Sequence, residues 1–264
     1  MVLRAWAGIQ GSRPVSCASI WQRRRNATMQ RILITGANRG IGFELARQYV
    51  AADDALVFAG CRKPASAEAL HELAGQAADR LVIVQLDVND AGSIAAAAAQ
   101  ITHSAGALDL LINNAGINPR GDHQSSRMGS LSAADVSEVI STNAVGSLVV
   151  TQAFRALLGA GDNPRVVMIS SGMGSMQRTR GDSYAYRMSK AAMNMAARVL
   201  AFDEAMAGIT TVTANPGWVR TDMGGENAVL EPEESGSQLR AMISGLTLAD
   251  KGRFFNYDGS ELPW

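Results

Sequence analysis

Short apolar runs alternate with longer stretches of helical spacing along most of this chain, and no other feature constrains its fold as strongly. The runs, such as RILIT and RVVMIS, are almost continuously apolar, which is typical of strands buried on both faces of a parallel sheet. We therefore predict seven strands, of which the last is the least marked, at residues 31–35, 55–60, 81–86, 108–112, 165–170, 209–214 and 252–256.

The segments between these runs have the apolar spacing of helices. They cover residues 42–52, 65–77, 91–104, 133–158, 184–207 and 233–245. Alternating strands and helices with right-handed crossovers form a doubly wound sheet. We expect an α/β protein with a single Rossmann-type domain at residues 29–264, in which helices cover both faces of a parallel sheet of about seven strands.

The first 28 residues contain five arginines and no acidic residue, a composition found in organelle transit peptides. Met29, however, opens the segment MQRILITG as an ordinary cytosolic start, so the preceding stretch is also explained as sequence upstream of the true start. We favour the second explanation and expect residues 1–28 to lie outside the fold in either case. The expected location is cytoplasmic, with an organelle matrix as the alternative.

Composition argues against several classes of partner. Beyond residue 28 the chain has 19 basic and 24 acidic residues, which disfavours nucleic acid. No apolar run approaches the roughly 20 residues that span a membrane, and the three histidines lack metal-ligand spacing, so we expect neither membrane nor metal. The apolar faces at 133–158 and 184–207 suit pairing in a homodimer or homotetramer, although burial in the core explains much of the same pattern.

A glycine-rich turn joins the first predicted strand to the first predicted helix. Glycine suits this turn because the backbone adopts unusual φ and ψ angles and approaches a pyrophosphate closely, while the helix N-terminus offers N–H groups to the anion. The spacing Gly-x-x-x-Gly-x-Gly is neither the general dinucleotide fingerprint nor a P-loop, and methyltransferases also place glycines here. The turn alone therefore indicates a nucleotide or similar cofactor, held by Gly36, Asn38, Arg39, Gly40, Ile41 and Gly42.

The end of the second predicted strand indicates which dinucleotide binds. An NAD site usually has an acidic residue about 20 positions after the glycines, but this strand ends in FAGCRK, and Asp53 and Asp54 precede it. Arg62 and Arg39 instead offer guanidinium groups suited to a 2′-phosphate, which favours NADP(H) over NAD(H). The alternative is that Arg62 and Lys63 belong to a solvated loop.

Tyr186 and Lys190 stand four residues apart on a predicted helix and therefore share one face. A free tyrosine has a pKa near 10, and a neighbouring ammonium group lowers it towards the neutral range. The pair is a candidate for acid–base catalysis. Tyr184 offers no equivalent pair, because Met188 follows it at the same spacing.

From Gln30 to Trp264 the sequence resembles the short-chain dehydrogenase/reductase family, and within it the C-factor and sniffer-type carbonyl reductases. The subgroup resemblance comes from PGWVRTDMGG and from the final residues FFNYDG and PW. The family features, in chain order, are the turn at 35–42, Asp87-Val88, Asn113-Asn114-Ala115-Gly116, Asn143, Ser171, Tyr186 with Lys190, and Pro216-Gly217.

The resemblance implies a role for each of these residues. Tyr186 is the general acid/base, Ser171 hydrogen-bonds the substrate oxygen, Lys190 binds the nicotinamide ribose and tunes the tyrosine, and Asn143 holds a water of a proton relay. The cofactor is bound by the glycine turn, by Arg62, Tyr186 and Lys190, and by Asp87, Val88, Asn114, Ala115, Gly116, Pro216, Gly217, Val219 and Thr221. Ser170 is an alternative to Ser171 as the reactive hydroxyl, and Asn143 is alternatively a plain polar helix residue.

These features predict an NADP(H)-dependent oxidoreductase that reduces a carbonyl, or oxidises an alcohol, by hydride transfer. One alternative is a cofactor-binding signalling or regulatory protein with incidental dehydrogenase activity. A nucleotide-sugar epimerase or dehydratase is disfavoured because fewer than fifty residues follow Pro216-Gly217. We expect residues 172–182 and a mobile lid at 223–237 to set the choice of small-molecule substrate.

Overall fold

A computed structural model describes residues 29–118 and 127–264. The predicted position of residues 1–28 outside the fold lies beyond this range.

Seven strands form one sheet in the order β3-β2-β1-β4-β5-β6-β7, and every neighbouring pair is parallel. This confirms the predicted α/β doubly wound architecture. The strand bounds are β1 Gln30–Thr35, β2 Ala55–Cys61, β3 Leu81–Gln85, β4 Leu110–Asn113, β5 Arg165–Ile169, β6 Thr210–Asn215 and β7 Phe254–Asn256.

The helices lie on both faces of the sheet. Their bounds are α1 Gly40–Ala51, α2 Glu68–Gln76, α3 Ala91–Ala105, α4 Ala133–Ile140, α5 Gly146–Gly159, α6 Tyr184–Phe202 and α7 Pro232–Ser244. Local residues set several ends: the Asp90 side chain accepts a hydrogen bond from Ser93 N–H at the start of α3, and Gly106 in the left-handed conformation ends it.

Two predicted helices are divided in the structure. The single helix predicted at 133–158 is interrupted by a π-helical segment, Ser141–Val145, which separates α4 from α5. The helix predicted at 65–77 is preceded by a separate short 3-10 turn, Pro64–Ser66, and α2 begins only at Glu68. Proline fits the first turn of a helix because its missing N–H has no partner there. The spacing of apolar residues stays helical across both interruptions, so the sequence pattern does not indicate either of them.

The core has two layers because successive strand residues point to opposite faces of the sheet. On one face, Ile32 and Ile34 pack with residues of α1, α2 and α7. On the other, Leu33 and Phe58 pack with residues of α3, α5 and α6. The order of the sheet reverses at β1, which pairs with β2 on one side and with β4 on the other, and this reversal opens a crevice at the carboxyl ends of the strands.

Within residues 29–118 and 127–264, none of the helices is both long and apolar enough to cross a membrane. The same residues hold no group of three or more His, Cys, Asp or Glu side chains arranged to bind a metal ion.

Candidate active site

Hydrogen bonds lock the glycine turn to the segment that follows β4. The Thr35 hydroxyl oxygen accepts bonds from the N–H groups of Asn114 and Ala115, at 3.0 and 2.9 Å. The Asn114 side-chain amide donates back to the carbonyls of Thr35 and Gly36, at 2.9 and 3.1 Å. Thr35, the first residue of the predicted turn at 35–42, therefore positions the segment after β4. The sequence pattern did not indicate this role.

Close backbone approach explains two of the glycines. Gly36 has a φ of 64°, and a Cβ there would lie 2.9 Å from Ala115 Cα. A Cβ at Gly42 would overlap the Asn114 amide and the Gly36 carbonyl oxygen. The turn thus tolerates no side chain at either position, and it leads directly into α1.

The N-terminus of α1 is suited to an anion. Arg39 precedes the helix and makes no side-chain cap, so the first N–H groups of α1 donate no hydrogen bond to its side chain. Such groups, with the helix dipole, bind phosphate oxygens.

A cleft of about 740 Å³ opens at the carboxyl ends of the strands, at the point where the sheet order reverses. Its walls combine the glycine turn with the ends of β2, β3, β4 and β6, as a dinucleotide site requires. The predicted residues that line it are Gly36, Asn38, Arg39, Gly40, Ile41, Arg62, Asp87, Val88, Asn114, Ala115, Gly116, Tyr186, Lys190, Pro216 and Thr221.

Five predicted residues do not line this cleft. Gly42 packs beneath the turn, Val219 is buried, and Gly217 adopts a positive φ of 84° against Leu230 and Tyr257. Asn143 and Ser171 lie outside its wall. The structure therefore gives Gly42 a packing role and not a direct contact with the cleft.

The two arginines predicted to favour a 2′-phosphate, Arg39 and Arg62, both line the cleft. Arg62 follows β2 and is exposed, and it makes no ion pair among the described residues. Arg39 is 66% exposed and pairs with the carboxylate of Asp222, with 2.8 Å between Nη1 and Oδ2. No sequence pattern indicates that Asp222 is a neighbour of the glycine turn.

Tyr186 and Lys190 both face the cleft from the first turns of α6. The Lys190 ammonium lies 5.7 Å from the centre of the Tyr186 ring and donates a hydrogen bond of 2.8 Å to the Ile169 carbonyl. Burial lowers the pKa of Lys190 to about 8. At neutral pH the group is therefore mostly charged, and its charge favours the phenolate form of the tyrosine.

Asn143 acts as a clamp between three parts of the chain. Its side chain accepts a bond from Ile117 N–H at 2.7 Å and donates to the Ile117 carbonyl at 2.9 Å and to Ser189 Oγ at 2.9 Å. Ser189 in turn donates to the Tyr186 carbonyl at 2.8 Å. The π-helical segment that holds Asn143 is thus tied to the helix that carries Tyr186. Short π-helical segments within helices are frequent at functional sites.

Ser170 and Ser171 have different surroundings. Ser170 is buried, and its hydroxyl donates to Asn194 Oδ1 at 2.6 Å, while the Asn194 amide donates to the Gly174 carbonyl at 3.2 Å. Ser171 is half-buried and accepts a bond from Met173 N–H at 3.1 Å, and its own proton has no acceptor among the described residues. Ser170 lines the cleft, but its hydroxyl proton is held by Asn194. The hydroxyl proton of Ser171 is not held in this way, which favours Ser171 for contact with a substrate even though it lies just outside the cleft wall.

The segment predicted as a lid is partly helical. Residues 232–237 form the start of α7, where the Ser235 hydroxyl donates to the Pro216 carbonyl at 2.7 Å. Before the helix, Val219 pairs with Leu230 in a short bridge, so the two ends of the loop are joined and its tip lies at 221–229. The predicted lid at 223–237 thus overlaps the predicted helix at 233–245, and its last residues belong to α7, where Ser235 and Gly236 pack against the body of the fold.

A larger cavity, about 1100 Å³, lies at the amino ends of the strands, near the start of β1. It contains the ion pair of Arg31 and Asp109, separated by 2.6 Å, but neither the glycine turn nor the Tyr186–Lys190 pair. Ligands of open α/β sheets bind at the carboxyl ends of the strands, so we assign the active site to the smaller cleft.

The family model for short chain dehydrogenases matches residues 30–229. The chain belongs to the short-chain dehydrogenase/reductase family. As a member of this family the protein is an oxidoreductase, and the matched residues contain both the glycine turn and the Tyr186–Lys190 pair.

Similar proteins include carbonyl reductases of known structure. The chain is 36% identical to NADPH-bound carbonyl reductase from chicken fatty liver, with a TM-score of 0.83, over 89% of this chain and 99% of that one. It is 32% identical to the carbonyl reductase Sniffer of D. melanogaster, with a TM-score of 0.82, over 89% and 100% of the two chains. It is also 43% identical to C-signal of Myxococcus xanthus over 160 residues, which are 60% of this chain and 94% of that protein.

Proposed function

We propose that this protein is an NADP(H)-dependent reductase of small carbonyl compounds, with Tyr186 as its general acid/base. The observation that carries the proposal is the joint position of Tyr186, Lys190 and the glycine turn around one cleft. The similarity to carbonyl reductases, one of them with NADPH bound, supports both the substrate class and the cofactor.

The proton chemistry belongs to the protein's own side chains. Tyr186 gives its phenolic proton to the developing alkoxide, and Ser171 hydrogen-bonds the same oxygen. Lys190, in the buried position described above, stabilises the resulting phenolate and binds the ribose, while Asn143 holds a water that returns the proton. When bound, the nicotinamide supplies the hydride that the carbonyl carbon receives. Alcohol oxidation is the same sequence in reverse.

The preference for NADP(H) over NAD(H) rests on charge at the adenosine end of the cleft. No carboxylate ends β2, where an acidic residue would bind the ribose 2′-hydroxyl of NAD. Arg62 is exposed there, and a guanidinium binds a phosphate through two parallel hydrogen bonds.

Titration with NADPH and NADH, followed by nicotinamide fluorescence, tests the proposal. We expect NADPH to bind more tightly and to be consumed with some member of a panel of aldehydes, ketones and quinones. The variant Arg62→Gln should weaken NADPH binding by about ten- to a hundredfold and leave NADH binding unchanged, because it removes only charge-assisted bonds to the 2′-phosphate. Binding of neither cofactor by the wild type would contradict the proposal at its first step.

A second candidate function is supported by the similarity to C-signal. On this reading the cleft binds its cofactor, and a signalling or regulatory role is primary while dehydrogenase activity is incidental. Tight cofactor binding without turnover of any carbonyl in the panel would favour it.

We further propose a cytoplasmic homodimer or homotetramer whose fold begins near Met29, with residues 1–28 outside it. Exposed apolar side chains on α5 and α6 support this assembly: Leu148 is 39% exposed, Met195 63% and Val199 58%. A sedimenting species with the mass of one chain would contradict it.

A further inference from the structure

An ion pair spans the cleft between two segments that are far apart in the chain. Arg39, in the glycine turn, meets Asp222, in the loop after β6, with 2.8 Å between Nη1 and Oδ2. Both side chains line the cleft. We propose that Asp222 is a specificity residue that holds Arg39 away from the 2′-phosphate and so weakens NADPH binding relative to NADH binding. The inference rests on the proposed use of NADP(H).

The loop itself holds Asp222 in this position. Thr221 Oγ1 accepts a bond from Gly224 N–H at 3.0 Å, and the Thr221 carbonyl accepts one from Gly225 N–H at 2.8 Å, so a tight turn surrounds Asp222. The Thr221 methyl group also sits over the glycine turn, 3.4 Å from where a Cβ on Gly40 would be. The carboxylate is therefore presented to Arg39 by contacts that do not depend on the ion pair.

Carboxylate and phosphate compete for the same groups of a guanidinium, because both accept its hydrogen bonds in the same planar geometry. A 2′-phosphate can engage Arg39 fully only when Asp222 gives up its bond to that guanidinium. NADH carries a hydroxyl at this position, so its binding does not require the Arg39–Asp222 bond to break. Arg62, which has no ion-pair partner among the described residues, provides the uncontested part of the phosphate site.

The exposed fractions of the two side chains determine how much Asp222 changes NADPH affinity. Arg39 and Asp222 are 66% and 77% exposed, so water and salt screen the pair, and its strength is that of a surface ion pair. Removing the carboxylate is therefore expected to tighten NADPH binding by about two- to fivefold at low ionic strength. The gain should shrink as salt is added, since salt weakens the competing pair.

The test is a pair of cofactor titrations on the full chain with Asp222→Asn, which keeps the shape of the side chain and removes its charge. We expect tighter NADPH binding and unchanged NADH binding. Glu226→Gln is the matched control, because Glu226 is exposed on the same loop and forms no ion pair among the described residues. In an Arg39→Gln background, the change at Asp222 should bring no further gain.

Several results would overturn the inference. They are unchanged or weaker NADPH binding by Asp222→Asn, an equal gain for NADH, the same gain for Glu226→Gln, or a gain that persists without Arg39. A wild-type protein that binds no NADPH would instead overturn the proposed function itself, so the two failures are distinguishable.

Discussion

Replacing Tyr186 by phenylalanine is expected to lower kcat for carbonyl reduction by about a hundred- to ten-thousandfold, the usual contribution of a positioned general acid. The variant keeps the ring beside Lys190 and loses only the phenolic O–H, so NADPH affinity should fall by at most about tenfold, the contribution of one hydrogen bond. Steady-state rates with NADPH, together with a fluorescence titration of the cofactor, separate the two effects.

Tyr184→Phe is the matched control for this loss. Tyr184 begins the same helix and is half-buried, as Tyr186 is, but Met188 takes the place of a lysine four residues later. Loss of the Tyr184 hydroxyl should leave kcat nearly unchanged. Equal activity of wild type and Tyr186→Phe would exclude the proposed acid. If the inactive variant still restored the phenotype of a deletion strain, the signalling function would become the primary one.

Gly42→Ala is expected to lower the free energy of unfolding by about 1–3 kcal/mol, because its methyl group would overlap the Asn114 amide and the Gly36 carbonyl. To relieve this overlap the glycine turn must move away from Asn114, and because the turn faces the cofactor, NADPH binding should weaken by about ten- to a hundredfold. Urea unfolding and a cofactor titration measure the two losses independently.

The same substitution at Gly75 provides the control for Gly42→Ala. Gly75 lies inside α2, and a Cβ there would meet no atom within 4 Å. Because alanine has a higher helix propensity than glycine, Gly75→Ala should raise the free energy of unfolding by about 0.5–1 kcal/mol and leave cofactor binding unchanged. If Gly42→Ala behaved like Gly75→Ala, the turn would not depend on close packing.

Features that local patterns encode were predicted well. Buried parallel strands are continuously apolar, so all seven strands were found to within a few residues. Tyr186 and Lys190 were paired from their spacing because one helical turn separates them. Helix ends were less accurate: the helix predicted to Ala207 ends at Phe202, and the first helix begins at Gly40 and not at Gly42.

Contacts between distant parts of the chain were not predictable in this way. The clamp from Asn143 to Ile117 and Ser189 joins segments 26 and 46 residues apart. The choice between Ser170 and Ser171 depends on Asn194, whose side chain reaches Ser170 from α6. No periodicity reports these bonds, because each depends on how separate elements pack.

The sequence by itself determined the fold class, the glycine turn and the Tyr186–Lys190 pair, since each depends on residues within one or two elements. Only the tertiary structure decided that Arg39 meets Asp222, 183 residues further along the chain. The same holds for the interruption of the long helix at Asn143. The physical reason is that the spacing of side chains along the chain encodes geometry within one helix or strand. The partner of a charged or polar side chain instead depends on which distant elements the fold brings into contact.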